Sequence, residues 1–207
     1  MVSRGTLARR LEAVRDFDDP SPELEQYLTP PEIAAHILHV AALQGDLTGK
    51  TVVDLGTGTG MLAIGASIGA PERVIALDVD PVALDRARRN ESHVRTASEP
   101  LIDWVQGDVS RHPLSLSGAT IVSNPPFGAQ RGNRHADRPF LEAACDLASV
   151  SYTIHNEGSQ EFVESFAADH GGAVTHAFRA TFSLENQFEF HEDDRRELEA
   201  EVFRIEW

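Results

Sequence analysis

Short apolar runs of strand length alternate with stretches of helical apolar spacing along most of this chain. Thr51–Leu55, Val74–Asp78, Leu101–Gln106 and Ala119–Ser123 are such runs, bounded by glycine, proline or aspartate. Between them, Met61–Ile68 follows a cluster of glycines, and Pro81–Asn90 opens on a proline, which suits the first turn of a helix. Further along, Arg138–Ala148 and Glu157–His170 read as helices, and Val150–His155, Ala173–Thr181 and Glu201–Trp207 as strands. This alternation predicts an α/β fold, a mostly parallel sheet with helices on both faces. Ahead of it, Thr6–Val14 reads as a short helix stopped by the Asp18–Pro22 run. Thr29-Pro30-Pro31-Glu32 then matches a capping box in front of the helical spacing of Ile33–Leu43.

Length adds one domain to this picture. The 207 residues can bury one sizeable core, and we expect a single domain over 1–207, with a helical segment at 1–45 and an α/β core at 46–207. No apolar run is long enough to cross a membrane, and Met1–Arg10 has arginines but no apolar stretch after them, so no secretory signal is expected. Cys145 is the only cysteine, so no internal disulfide and no zinc cluster is expected, and no metal. These features together point to the cytoplasm.

Charge changes the expectation about partners less than its size suggests. The net charge is −15, and Lys50 is the only lysine among 18 basic residues. Such acidity should repel nucleic acid in dilute salt. An acidic chain almost without lysine also resembles proteins of halophilic organisms, and at about 1 M salt the Debye length is only ~3 Å. A nucleic-acid substrate is therefore not excluded. Basic residues also gather in two islands, Arg4, Arg9, Arg10 and Arg15 in one and Arg131, Arg134 and Arg138 in the other.

Candidate chemistry begins at Asp54-Leu55-Gly56-Thr57-Gly58-Thr59-Gly60, between a strand and a helix. Glycines there allow a tight turn and let a ligand approach the backbone, at the strand end where open α/β sheets bind ligands. Asp54, Gly56, Thr59, Gly60 and Met61 are the candidate contacts. Gly58–Ala63 also satisfies a dinucleotide pattern, but an acid directly before the turn suits a cationic ligand such as the sulfonium of S-adenosylmethionine. Asp78 ends the next strand, where a carboxylate can accept both hydroxyls of a ribose. Asp108 could accept from an adenine amino group or simply stabilise a turn; Asp80 reads as a helix cap. Asn124-Pro125-Pro126-Phe127 closes a later strand at the same edge. The prolines stiffen it, so the Asn124 amide and the Pro125 carbonyl become fixed acceptors for a planar amino group, and Phe127 offers a stacking face.

On Asp54–Gly60 together with Asn124–Phe127, the chain resembles the adenine-N6 class of S-adenosylmethionine-dependent methyltransferases. It is similar in particular to the small RNA methyltransferases that modify an adenosine of small-subunit ribosomal RNA, as an archaeal member. The resemblance extends to Glu25-Gln26-Tyr27-Leu28-Thr29, Gln106–Val109, Asn124–Gly128 and Phe188–His191. It implies a Rossmann-like seven-stranded class I methyltransferase sheet with an N-terminal helical extension, S-adenosyl-L-methionine as cofactor, and an RNA substrate. It also implies that Gln26, Thr29 and Val109 line the cofactor pocket, although Thr29 is equally explained as a helix cap. Such enzymes bind a small zinc-ribbon activator subunit by strand pairing, which would fall on Leu101–Gln106, the third strand and a sheet edge. One departure is Glu192-Asp193-Asp194, where eukaryotic members carry lysines; either RNA contact moves to Arg131, Arg134 and Arg138, or the substrate differs. The alternatives are methylation of another planar amine, a protein glutamine amide or guanine N2, and a cofactor-binding scaffold without catalysis. Trp104 and Trp207 read as packing residues.

Overall fold

Five parallel strands and an antiparallel pair make one sheet, ordered β3-β2-β1-β4-β5-β7-β6. The computed structural model describes residues 2–127, 136–185 and 195–207. In chain order the elements are α1 (Arg4–Leu11), α2 (Pro31–Gln44), β1 (Thr51–Leu55), α3 (Met61–Ser67), β2 (Arg73–Asp78), α4 (Pro81–Val94), β3 (Ile102–Gln106), β4 (Ala119–Ser123), α5 (Arg138–Leu147), β5 (Ala148–Asn156), α6 (Gln160–Asp169), β6 (Ala173–Glu185) and β7 (Arg195–Glu206).

The central strands are apolar on both faces because helices cover both. Val52, Val74, Ala76 and Val122 turn to the side of α1–α4, while Val53, Leu55, Ile75, Leu77 and Ile121 turn to the side of α5. Parallel registers such as Val53↔Ile75 and Val53↔Ile121 bring the carboxyl ends of β1, β2 and β4 level with one another. The loops that follow these strands therefore open on one edge.

One local expectation is corrected. The capping box at Thr29 does not form: α2 begins at Pro31 with Pro30 as its cap residue and no side-chain cap. The helix starts one residue later than the box requires, and Thr29 Oγ1 instead accepts from Asn124 Nδ2 at 2.9 Å. Trp104 packs, in line with its reading as a packing residue. Its indole N–H donates to Glu91 Oε2 at 2.8 Å, and its ring packs against Gly60. Leu101, just before β3, is 69% exposed.

At the opposite end of the sheet, β7 runs antiparallel between β5 and β6, with Thr153↔Phe203 and Ala177↔Phe203 in register. It brings Arg204 to Asp46 Oδ2 (2.9 Å), the Tyr152 hydroxyl (3.0 Å) and Glu206 (2.6 Å). Trp207 packs edge-on against Phe166 and donates to Ser151 Oγ at 3.0 Å. Among the described residues no helix is long and apolar enough to cross a membrane.

Candidate cofactor and acceptor site

The loops after β1, β2, β3 and β4 surround a cavity of about 490 Å³, roofed by residues 17–29 of the N-terminal segment. That volume suits a nucleoside-sized ligand. The glycine loop forms its floor. Gly58, at φ +53°, donates its N–H to Asp78 Oδ2 at 2.7 Å, and a Cβ there would stand 2.9 Å from the Phe17 ring. Gly60, at φ +90°, precedes α3, and a Cβ would meet the Trp104 ring at 2.8 Å. Glycine is required at Gly58 for the roof to close and at Gly60 for α3 to pack.

Asp54 stands behind this floor and not on the cavity. It is 1% exposed, and its Oδ2 accepts from Thr57 Oγ1 (2.6 Å) and from the Ala63 N–H (2.9 Å). Burial pushes its carboxyl up to about 7, against those two hydrogen bonds and helped by the nearby Asp78 charge. Asp54 thus folds the loop that a ligand would touch. Gly60 is likewise a packing position; Gly56, Thr59 and Met61 do reach the cavity.

Asp78 lines the cavity at the end of β2. Its oxygens accept from the N–H groups of Gly58 and Asp80, and burial raises its carboxyl above the ordinary range while those bonds oppose the shift. Each carboxylate oxygen keeps accepting capacity toward the cavity. Asp80 caps α4 through the Val82 N–H and also accepts from Gln26 Nε2 at 2.7 Å. Gln26 therefore lines the cavity and latches the roof to the start of α4. Asp108 lines the far wall beside Val109; the Ser110 hydroxyl and N–H hold it below the usual carboxylate range. It is both a turn residue and a cavity residue.

Asn124 and Pro126 complete the wall, with Pro125 buried behind them. Asn124 spends its Nδ2 on Thr29, and its Oδ1 is buried without a hydrogen-bond partner. An unpaired acceptor on a residue of the cavity wall can take an N–H donor from a ligand that reaches it. Phe127 meets Tyr27 at 5.5 Å between ring centres, which joins the roof to this turn.

Other walls come from residues with no sequence signal of their own. Phe17 lies in an acidic, turn-rich stretch, and Pro139 and Phe140 open α5 far along the chain. A lone aromatic at a helix start was the only available hint. Arg138 is turned from the cavity, 3.0 Å from Glu142 and 5.8 Å over the Phe166 ring. Arg131, Arg134, Phe188–His191 and Glu192–Asp194 lie outside the described residues. Among the described residues, no cluster of three or more metal-ligating side chains occurs.

Comparison with known proteins follows the same lines. The crystal structure of PH1948 from Pyrococcus horikoshii superposes with a TM-score of 0.87 at 35% identity, over 100% of this chain and 98% of that one. An uncharacterized protein of Methanocaldococcus jannaschii is 33% identical over 100% of this chain and 95% of its own length. The rRNA N(6)-adenosine-methyltransferase Mettl5 of Drosophila melanogaster is 31% identical over 97% of this chain and 94% of its own. The family model described as Methyltransferase small domain matches residues 32–172, which span the glycine loop, Asp78, Asp108 and Asn124. With that match and full-length relatives of this identity, the chain belongs to the small-domain methyltransferase family.

Proposed function

We propose that this protein is an S-adenosylmethionine-dependent methyltransferase acting on the N6 amine of an adenosine in structured RNA, with small-subunit ribosomal RNA as the substrate class. The observation that carries the reading is the open, buried Asn124 Oδ1 on the wall of a nucleoside-sized cavity. The full-length likeness to an rRNA N(6)-adenosine-methyltransferase supports it. An acidic chain with one lysine also suits a halophilic, archaeal cytoplasm.

The residues present fit the cofactor. Asp78 would hold its ribose hydroxyls, Asp108 and Val109 its base, and Gly56 and Gly58 would lie against it with no side chain of their own between. Bound there, S-adenosylmethionine supplies an electrophilic methyl group on a sulfonium. What remains for the protein is placement and polarisation. Asn124 Oδ1 accepts one hydrogen of the target amine, and the stiff Pro125–Pro126 backbone supplies the second acceptor. Holding both hydrogens out of the plane of the base turns the nitrogen lone pair toward the methyl group. The roof over the cavity is latched by Gln26 to Asp80.

Purified protein incubated with labelled cofactor and total cellular RNA should yield labelled N6-methyladenosine after digestion; label only in protein or in guanosine overturns the reading. Asp78→Ala should weaken S-adenosylmethionine binding roughly tenfold or more, since hydrogen bonds to a charged acceptor are the strong ones. Calorimetry that finds unchanged affinity would move the ribose site elsewhere. Arg131, Arg134 and Arg138 are the proposed RNA contacts. Arg138 must exchange Glu142 for phosphate to serve.

A zinc-ribbon activator subunit is proposed to pair with β3. The supporting feature is position: β3 ends the sheet, and exposed Leu101 stands at its start. An open edge of this kind templates pairing with another chain. Co-expression with such a subunit should raise the melting temperature and slow amide exchange over residues 102–106. Exchange indifferent to the subunit would refute the pairing.

A further inference from the structure

The last two residues of β5 grip the chain on either side of residues 128–135. Asn156 Nδ2 donates to the Phe127 carbonyl oxygen at 2.8 Å. His155 Nδ1 lies 2.9 Å from Oδ2 of Asp137, the cap residue of α5. On its other side, His155 Nε2 lies 3.1 Å from Thr153 Oγ1, which accepts from Ser123 Oγ at 3.1 Å. Ser123 directly precedes Asn124. Asp137, His155, Thr153 and Ser123 therefore form a continuous polar line beneath the acceptor turn.

Three members of that line are almost wholly buried: Ser123 at 2%, Thr153 at 2% and His155 at 1% exposure. Apolar side chains would fill the same space without polar groups to satisfy. Polar ones hold direction. The turn at Asn124–Phe127 is anchored at one end by the β4 ladder and at the other by Asn156 on the Phe127 carbonyl. Two prolines between the anchors leave few free dihedrals, so fixing both ends fixes the backbone that carries Asn124, whose amide Thr29 then holds. Asp137 does the same for the start of α5, whose Pro139 and Phe140 wall the cavity.

The geometry points to His155 and Asn156 as a clasp that sets the acceptor turn and the start of α5, hence as positioning residues for methyl transfer. Neither lines the cavity. The inference rests on the adenosine-methylating reading for its chemistry, and on the hydrogen bonds alone for the clasp.

Asn156→Ala is the cleaner variant, since Asn156 is only partly buried. It should lower kcat on RNA roughly 10- to 100-fold, the cost of a small misplacement of reacting groups. S-adenosylhomocysteine affinity by calorimetry and the melting temperature should hardly change. His155→Gln, which keeps a side chain able to reach Thr153 but drops Asp137, should lower kcat and speed amide exchange at Phe140 and Leu141. Both amides hang on the Asp137 carbonyl. Wild-type kcat in both variants overturns the clasp. Should wild-type protein label no RNA, the adenosine reading falls. Exchange at Phe140 and Leu141 in His155→Gln then decides the clasp: faster exchange upholds it, and unchanged exchange overturns it.

Discussion

Replacing Asn124 with alanine should lower methyl transfer by roughly 10²–10³-fold, the usual cost of removing one positioned hydrogen-bonding group from a reacting centre. S-adenosylmethionine affinity should change far less. The asymmetry follows from where the side chain is engaged. Its Nδ2 is committed to Thr29, whereas Oδ1 is buried and open. In alanine the target amine loses one of its two acceptors, so its lone pair stays more conjugated with the ring. Asn124→Asp keeps an acceptor there, with the Thr29 hydroxyl able to donate to the second oxygen, so it should recover part of the lost rate. Single-turnover measurements on RNA, set beside calorimetry of the cofactor, separate the two effects. An alanine variant that turns over like the wild type would remove Asn124 from the reaction.

Asp54 should make the cofactor-free protein lose stability as pH rises through the acid range. Burial holds its carboxyl up to about 7 in the folded chain, against roughly 3.9 in the unfolded one. Between those values the native state keeps a proton that the unfolded state has released, so the slope of unfolding free energy with pH is negative. The contribution is complete below about pH 4, falls by about 2–4 kcal/mol on the way to pH 7, and is flat above. Asp54→Asn retains an oxygen for Thr57 and Ala63 and has no charge to bury. Its stability, followed by urea unfolding across this range, should lack that decline. A variant whose profile parallels the wild type would place the titrating group elsewhere.

The central architecture was legible because both faces of β1, β2 and β4 are covered, which writes them as short apolar runs such as Val52-Val53 and Ile121-Val122. The strand-end ligand edge followed from them, as did the positions of Asp78, Asp108 and Asn124 on it. Side-chain direction within the glycine motif was not legible. Asp54 and Gly60 belong to that motif, yet they face Ala63 and Trp104, because the loop turns back over α3. Thr29 failed as a cap for a comparable reason: a residue some 95 positions away takes its hydroxyl. The roof and α5 walls, Phe17 and Phe140, lie in segments whose local pattern carries no trace of what they cover. Local periodicity reports which face is buried, and pairings across that distance are settled only by the assembled sheet.

The insertion of β7 between β5 and β6 bears on how the chain comes to be folded at all. During synthesis β5, α6 and β6 emerge before β7, so β5 waits beside β4 with one edge open, and β6 has no neighbour. Both gaps close in a single late event, which also delivers Arg204 to Asp46 and Trp207 to Ser151. A ribosome that releases the chain early, or a protease that clips residues 195–207, would leave β6 unpaired and one edge of β5 open. Such nascent or nicked chains are candidates for chaperone capture and aggregation. Quality control of this protein should therefore depend on β7 far more than on any loop of similar length.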